Sequence, residues 1–318
     1  MGYGLPYMGS KSRLIKRLSQ YLPNADHFYD VFGGGSSVSH FMAKERPKSF
    51  RTINYNEIDL TVCELVKDSI AGIYSYDKFK PDWISRDDFY RLKDSSGYVQ
   101  QCWSFGNNGK NYLFSREIEP YKKSMHMAIV FDCFDDLAKE VLKFGNWPDG
   151  LSDIKSKRLY LRNKIESYKK TTIPSILHQF LSEKQLQQLE QLQRLEQLER
   201  LEQLQQLERL KFNITNLDYQ KLTFKSNSTI YCDPPYEGTG GYKRSNFNKS
   251  SFLDWAHSQQ NHVYISEYNV ADPRFELIAE FKLNSTLSAT NNGKQCIERL
   301  YCNKFVPTHK LNEQLTLF

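Results

Sequence analysis

The chain has 318 residues, 39% of them hydrophobic, which suffices for one large α/β domain and a smaller one. Its formal net charge of +6 permits nucleic-acid binding without establishing it. No apolar run reaches the roughly 18 residues a membrane span needs, and no charged-then-apolar signal opens the chain.

Six cysteines (63, 102, 133, 232, 296 and 302) are scattered, with no C-x-x-C pair. That pattern speaks against a metal site or a disulfide framework and makes a reducing cytoplasm the expectation. The first motif is a loop. Gly2, Gly4, Pro6 and Gly9 precede a helical pattern of Leu14, Ile15, Leu18 and Leu22 that begins at Lys11. A loop feeding a helix N-terminus attracts a carboxylate, and Lys11 adds positive charge. Taken alone, the segment reads more simply as a basic surface helix.

Residues 28–37 read strand, glycine loop, helix, with Gly33, Gly34 and Gly35 in the loop. Glycines let backbone approach a ligand closely. Residues 51–57 form a second predicted strand that ends in Glu57, about 20 residues past the loop. In doubly wound nucleotide-binding folds an acid at this distance holds ribose hydroxyls. Asp59 competes for that role, although it is also the better helix N-cap. Residues 61–75 read as an amphipathic helix.

From residue 76 to 172 the chain is charged and aromatic, with no βαβ rhythm. It reads as an inserted recognition region. Residues 103–110 form a polar turn cluster flanked by Trp103 and Phe105. There Asn107, Asn108 and Lys110 suit base edges or phosphates. The same cluster also reads as an ordinary loop with a type I′ turn at Asn108-Gly109. Residues 151–170 carry seven basic residues against two acidic ones, with Arg158 and Arg162 at the centre. This is a candidate phosphate-contacting surface, or a solvated helix face.

Leucines at 186, 189, 192, 195, 198, 201, 204, 207 and 210 recur at every third position, separated by Glu, Gln and Arg. On an α-helix each such step turns the side chain by about −60°, so the stripe winds and sustains no straight coiled-coil seam. The expectation is a helical spacer with some leucines partly exposed, or less readily a dimerisation rod.

Residues 229–236 bring the chemistry. An apolar, β-branched run reads as a buried strand and stops at Asp233-Pro234-Pro235-Tyr236. Prolines cannot continue the ladder, and the first keeps the residue before it extended. A carboxylate and a carbonyl therefore stand on stiff backbone at the C-terminal end of a strand, where open α/β sheets bind ligands. Two acceptors there suit an exocyclic amino group of a nucleobase. Asp233 and the Pro234 carbonyl would hold its hydrogens and favour the tetrahedral nitrogen that attacks a methyl group. Tyr236 offers a stacking face, worth roughly 1–3 kcal/mol per base. Residues 238–252 follow as a glycine-rich, basic loop in which Lys243 and Arg244 suit phosphates.

Asp233-Pro234-Pro235-Tyr236 resembles the catalytic motif of amino-methyltransferases that use S-adenosylmethionine (SAM). With the N-terminal motifs, the chain resembles the DNA adenine methylase (Dam) family, including its phage members. The likeness is good over residues 1–60 and 212–305 and looser between them. It implies a Rossmann-like α/β methyltransferase sheet with an inserted, mainly helical recognition region. Residues 1–75 and 212–318 would form the catalytic domain, 76–182 the insertion and 183–211 the spacer. It further implies that Tyr7, Gly9 and Lys11 contact SAM. The family form acid-x-Phe-x-Gly-x-Gly fits Asp30, Phe32 and Gly34, while Ser36 takes the last glycine slot. Asp218 and Tyr219 match an acid-aromatic pair that contacts the cofactor's adenine. The segment 103–110 is similar to one found in phage adenine methylases, and 298–303 to the family's last core strand.

The implied activity is methylation of adenine N6 in double-stranded DNA after base flipping, with no metal and no membrane, by a monomer or weak dimer. Three rivals stand beside it. An N4-cytosine methylase more often has serine at Asp233, and an rRNA or protein-glutamine methylase usually has asparagine there. The third is a non-catalytic DNA-binding scaffold that uses residues 183–211.

Overall fold

The computed structural model describes residues 2–75, 78–171, 193–209, 211–235, 247–284 and 295–303. Among these, seven strands form one sheet: β1 (His27–Asp30), β2 (Thr52–Asn56), β3 (Phe212–Thr215), β4 (Ser228–Cys232), β5 (His262–Glu267), β6 (Glu276–Asn284) and β7 (Gln295–Cys302). Their order is β3-β2-β1-β4-β5-β7-β6. The pairs from β3 to β5 are parallel, and β7 runs antiparallel to both β5 and β6. A mainly parallel sheet is covered on both faces, so its central strands read as continuous apolar runs. Accordingly, β4 is buried at every position.

The order reverses between β1 and β4. The chain leaves β1 outward to β2 and β3, then returns to the other side of β1 as β4. In this pairing Asp30 of β1 lies opposite Tyr231 of β4. Asp30 ends β1, and Asp233 follows the last residue of β4, so both stand at the carboxyl ends of the strands that flank the reversal. Open α/β sheets bind ligands at such a switch point.

Helices among the described residues are α1 (Ile15–Leu18), α2 (Ser37–Glu45), α3 (Leu60–Ile70), α4 (Arg86–Leu92), α5 (Gly97–Cys102), α6 (Glu119–Phe131), α7 (Asp136–Leu142), α8 (Ile154–Thr171), α9 (Gln193–Gln203) and α10 (Lys249–Ser258). The chain divides into two compact units, Met1–Lys67 with Gln206–Phe318, and Asp68–Gln205. The first carries the whole sheet. The second is helical, with an isolated bridge between Ser104 and Tyr112. Its core is aromatic: Trp103 is fully buried and meets Trp83 edge-on at 5.2 Å.

The leucine repeat departs from expectation. Leu198, Leu201, Leu204 and Leu207 are all buried, at 1% exposure or less. The reason is a change of helix type. After α9 the chain tightens into a 3-10 helix over Leu204–Arg209. A 3-10 helix has 3.0 residues per turn, so a three-residue spacing stacks its leucines on one face. Within α9, Leu198 and Leu201 lie only about 60° apart, so one apolar face covers both. Glu199 on the same helix pairs with Arg158 of α8 at 2.5 Å. These four leucines are core residues and not the partly exposed ones expected of the repeat. Leu186, Leu189, Leu192 and Leu210 lie outside the described residues.

Candidate active site

The N-terminal segment lies across the glycine loop. Leu5 N donates to the Gly35 carbonyl at 2.6 Å, and Gly4 N donates to His40 Nδ1 at 3.0 Å. Tyr7 sits on this loop so closely that a Cβ on Gly35 would meet the Tyr7 Cβ at 2.4 Å. From the other side the Tyr55 ring would meet a Cβ on Gly33 at 2.3 Å. The loop is thus glycine because two aromatic side chains press against its backbone. Ser36 resolves the one departure from the family pattern. It adopts φ 60°, ψ 24°, the left-handed conformation that a glycine would take there.

Asp30 ends β1 but turns into the protein. Its Oδ2 accepts from Ser39 N at 3.1 Å and from Ser39 Oγ at 2.6 Å. It thereby ties α2 to the strand and fixes the loop between them. Burial pushes the Asp30 carboxyl up to about 7, against those two hydrogen bonds, and the Asp233 and Glu57 charges add to the rise. The folded pKa therefore lies above the unfolded value of about 3.9. Stability from this group is complete below about pH 4 and is lost as pH rises through about 7. Asp30→Asn is expected to remove that loss. Its unfolding free energy should gain on the wild type from pH 5 to pH 8, by roughly 3 kcal/mol. Denaturant titrations across that range check it, and parallel curves would exclude Asp30 as the source.

Glu57 reaches the same loop. Its Oε2 accepts from Gly34 N and its Oε1 from Asp59 N, each at 2.8 Å. Burial pushes its carboxyl up to about 7 as well, although those backbone N–H groups pull it down. Asp59 does something else: its Oδ1 accepts from Thr61 N at 3.0 Å and so caps α3.

Lys11 opens a short 3-10 helix, and its own backbone N donates to Ser37 Oγ at 3.2 Å. Its side chain is buried. Nζ lies 2.8 Å from Asp233 Oδ1 and 3.3 Å from Glu298 Oε1. Burial alone would lower the ammonium pKa, but the two carboxylates outweigh it and the pKa stands above its ordinary value. Glu298 in turn accepts from Ser266 Oγ at 2.6 Å. Asp233 is thus anchored by the N-terminal segment, which is itself braced by β7 and β5.

Phe32 packs 5.5 Å from both Tyr219 and Phe252 and 5.9 Å from Phe247, and Tyr219 in turn meets Trp255. Asp218 is exposed and caps a short turn, accepting from Gln220 N at 3.0 Å. Tyr7, Lys11, Gly33, Gly34, Gly35, Asp30, Glu57 and Asp233 thus gather round the switch point. Gly9, with φ 81°, forms the turn before Lys11.

In the second unit, Asn107 donates through Nδ2 to the Gln101 carbonyl at 2.7 Å. The Asn108 Oδ1 accepts from Lys110 N at 2.8 Å and Asn111 N at 3.1 Å. Both asparagines shape the loop itself. Asn108 has φ −87°, which excludes a type I′ turn. Lys110 is exposed. Arg158 is largely buried against Glu199, whereas Arg162 stays at the surface. Tyr236, Lys243 and Arg244 lie outside the described residues.

Ser266 and Glu298 join Lys11 and Asp233 although neither is picked out as a site residue in the sequence, where 298–303 resembles only the family's last core strand. The available signal was an acid just before an apolar run of β7: Glu298 is buried, as are Leu300, Tyr301 and Cys302. Among the described residues no His, Cys, Asp and Glu cluster could hold a metal ion, and no helix is long and apolar enough to cross a membrane.

Comparison with curated proteins returns no match. Comparison with known families matches residues 7–268 to the D12 class N6 adenine-specific DNA methyltransferases. That span takes in the N-terminal loop, the glycine loop, Glu57 and Asp-Pro-Pro-Tyr, and it ends at the close of β5. The chain belongs to the D12 class N6 adenine-specific DNA methyltransferase family, and its reaction is the methylation of adenine in DNA.

Proposed function

We propose that the methyl donor is SAM and that the acceptor is the N6 amino group of an adenine flipped out of double-stranded DNA. The observation that carries this reading is the Lys11–Asp233 pair, 2.8 Å apart at the end of β4. SAM, when bound, supplies an electrophilic methyl group on a sulfonium centre. The residues present fit such a donor. Asp233 and Glu298 outnumber the Lys11 ammonium they face, which suits a cation.

In this reading Lys11 holds Asp233 Oδ1 and leaves Oδ2 as the oxygen that accepts an N6 hydrogen. The Pro234 carbonyl accepts the other, and Pro235 keeps that backbone stiff. Tyr236 stacks on the flipped base. Flipping costs a few kcal/mol, which binding must offset. Glu57 takes the ribose hydroxyls of SAM. Phe32 and Tyr219, with Asp218, flank its adenine, and Tyr7 and Gly9 line the remainder. Lys110, Arg162, Lys243 and Arg244 contact phosphates, with Asn107 and Asn108 holding the loop that presents Lys110. Arg158, paired with Glu199, braces the helix that carries Arg162. A reducing cytoplasm and a monomer or weak dimer fit this role.

The test is duplex DNA incubated with methyl-labelled SAM and digested to nucleosides. Label is expected in N6-methyldeoxyadenosine. No label in DNA, or label in N4-methyldeoxycytidine, would sink the reading.

Glu57→Ala is expected to weaken SAM binding by about 10- to 100-fold, the range for losing hydrogen bonds to a charged group. DNA affinity measured without cofactor should not change. Calorimetry with SAM decides, and an unaltered affinity would move the ribose contact elsewhere.

A further inference from the structure

We propose that Glu298 is a positioning residue for methyl transfer, acting on Asp233 through Lys11. This inference rests on Asp233 being the N6 acceptor. Lys11 is buried and shared, 2.8 Å from Asp233 and 3.3 Å from Glu298. A lysine paired with Asp233 alone would cancel the charge of that carboxylate at the moment positive charge develops on the attacking nitrogen. Two carboxylates around one ammonium leave a net negative charge instead. Glu298 therefore lets Lys11 orient Asp233 without neutralising it. The geometry also fixes direction. Glu298 is held by Ser266 Oγ at 2.6 Å, from the neighbouring strand β5. Both strands lie in the sheet core, with Ser266 and Glu298 buried. The ammonium is thus tethered to the rigid sheet on one side and holds Asp233 on the other.

The alternative is that Glu298 merely satisfies a buried lysine. Glu298→Gln separates the two, because the amide keeps the shape and still accepts from Ser266. The expected result is a kcat lower by roughly 10- to 100-fold, below the 10²–10³ typical of removing a direct electrostatic contact. SAM affinity by calorimetry and DNA affinity should stay within about twofold, so the loss falls on kcat and not on binding. A folded Glu298→Gln protein with wild-type kcat overturns the proposal.

A second measurement needs no turnover. Unfolding of Glu298→Gln, Asp233→Asn and the double variant forms a mutant cycle. Each single variant removes one of these two carboxylates from Lys11, and the double removes both. The double should lose more stability than both singles together, or fail to fold where they fold. Additive losses overturn the proposal. If Glu298→Gln itself does not fold, Ser266→Ala keeps the charge but frees its anchor and should lower kcat several-fold. An unchanged kcat in Ser266→Ala overturns the proposal as well. Failure of the underlying reading looks different: Asp233→Asn would then methylate DNA at the wild-type rate.

Discussion

Asp233→Ala is expected to lower methylation by about 10³-fold or more while the protein stays folded and binds SAM. Removing a single electrostatic contact from a transition state costs 10²–10³, and Asp233 is assigned two functions at once. It accepts a hydrogen from N6, and it opposes the positive charge that develops there. The fold should tolerate the change because Lys11 keeps Glu298, 3.3 Å away, as a partner. Label incorporation into DNA, read beside a melting curve and a SAM titration, checks all three parts. An active Asp233→Ala protein would refute the assigned chemistry.

Lys11→Met should have the opposite profile and damage stability as well as activity. The substitution leaves Asp233 and Glu298 facing a common buried space with no cation between them. Removing one partner of a buried ion pair costs about 3–5 kcal/mol, since an uncompensated charge remains. Most of the difference between Lys11→Met and Asp233→Ala should therefore appear in denaturant midpoints. A Lys11→Met protein as stable as the wild type would mean that the two carboxylates reach water once the lysine is gone.

What the sequence revealed followed from locality. The strand that ends at Asp233, the glycine loop and the acid at Glu57 each declare themselves within about ten residues. The structure brings all three to one switch point. Glu298 was hidden because its partner is Lys11, at the other end of the chain, and only the folded structure brings them within 3.3 Å. Asn107 and Asn108 looked like base readers because their side chains are polar. Both are engaged by neighbouring backbone, a use that polarity alone does not distinguish. Arg158 misled for a related reason. A run of basic residues does not show which of them turns inward, and Glu199, its partner, lies 41 positions away.

The 3-10 helix at Leu204–Arg209 has a consequence at the level of the gene. Where Leu-x-x units are encoded by repeated codons, such a tract gains or loses whole units when a replicating strand slips. In an α-helix each added unit would rotate everything downstream by about −60°. In a helix with three residues per turn, the same addition returns the next leucine to the face it left. A three-codon insertion at Leu204 should therefore lengthen the protein while keeping its buried face in phase. Natural isolates that differ only in the number of these units are expected to keep Leu-x-x in register up to Phe212, where β3 begins.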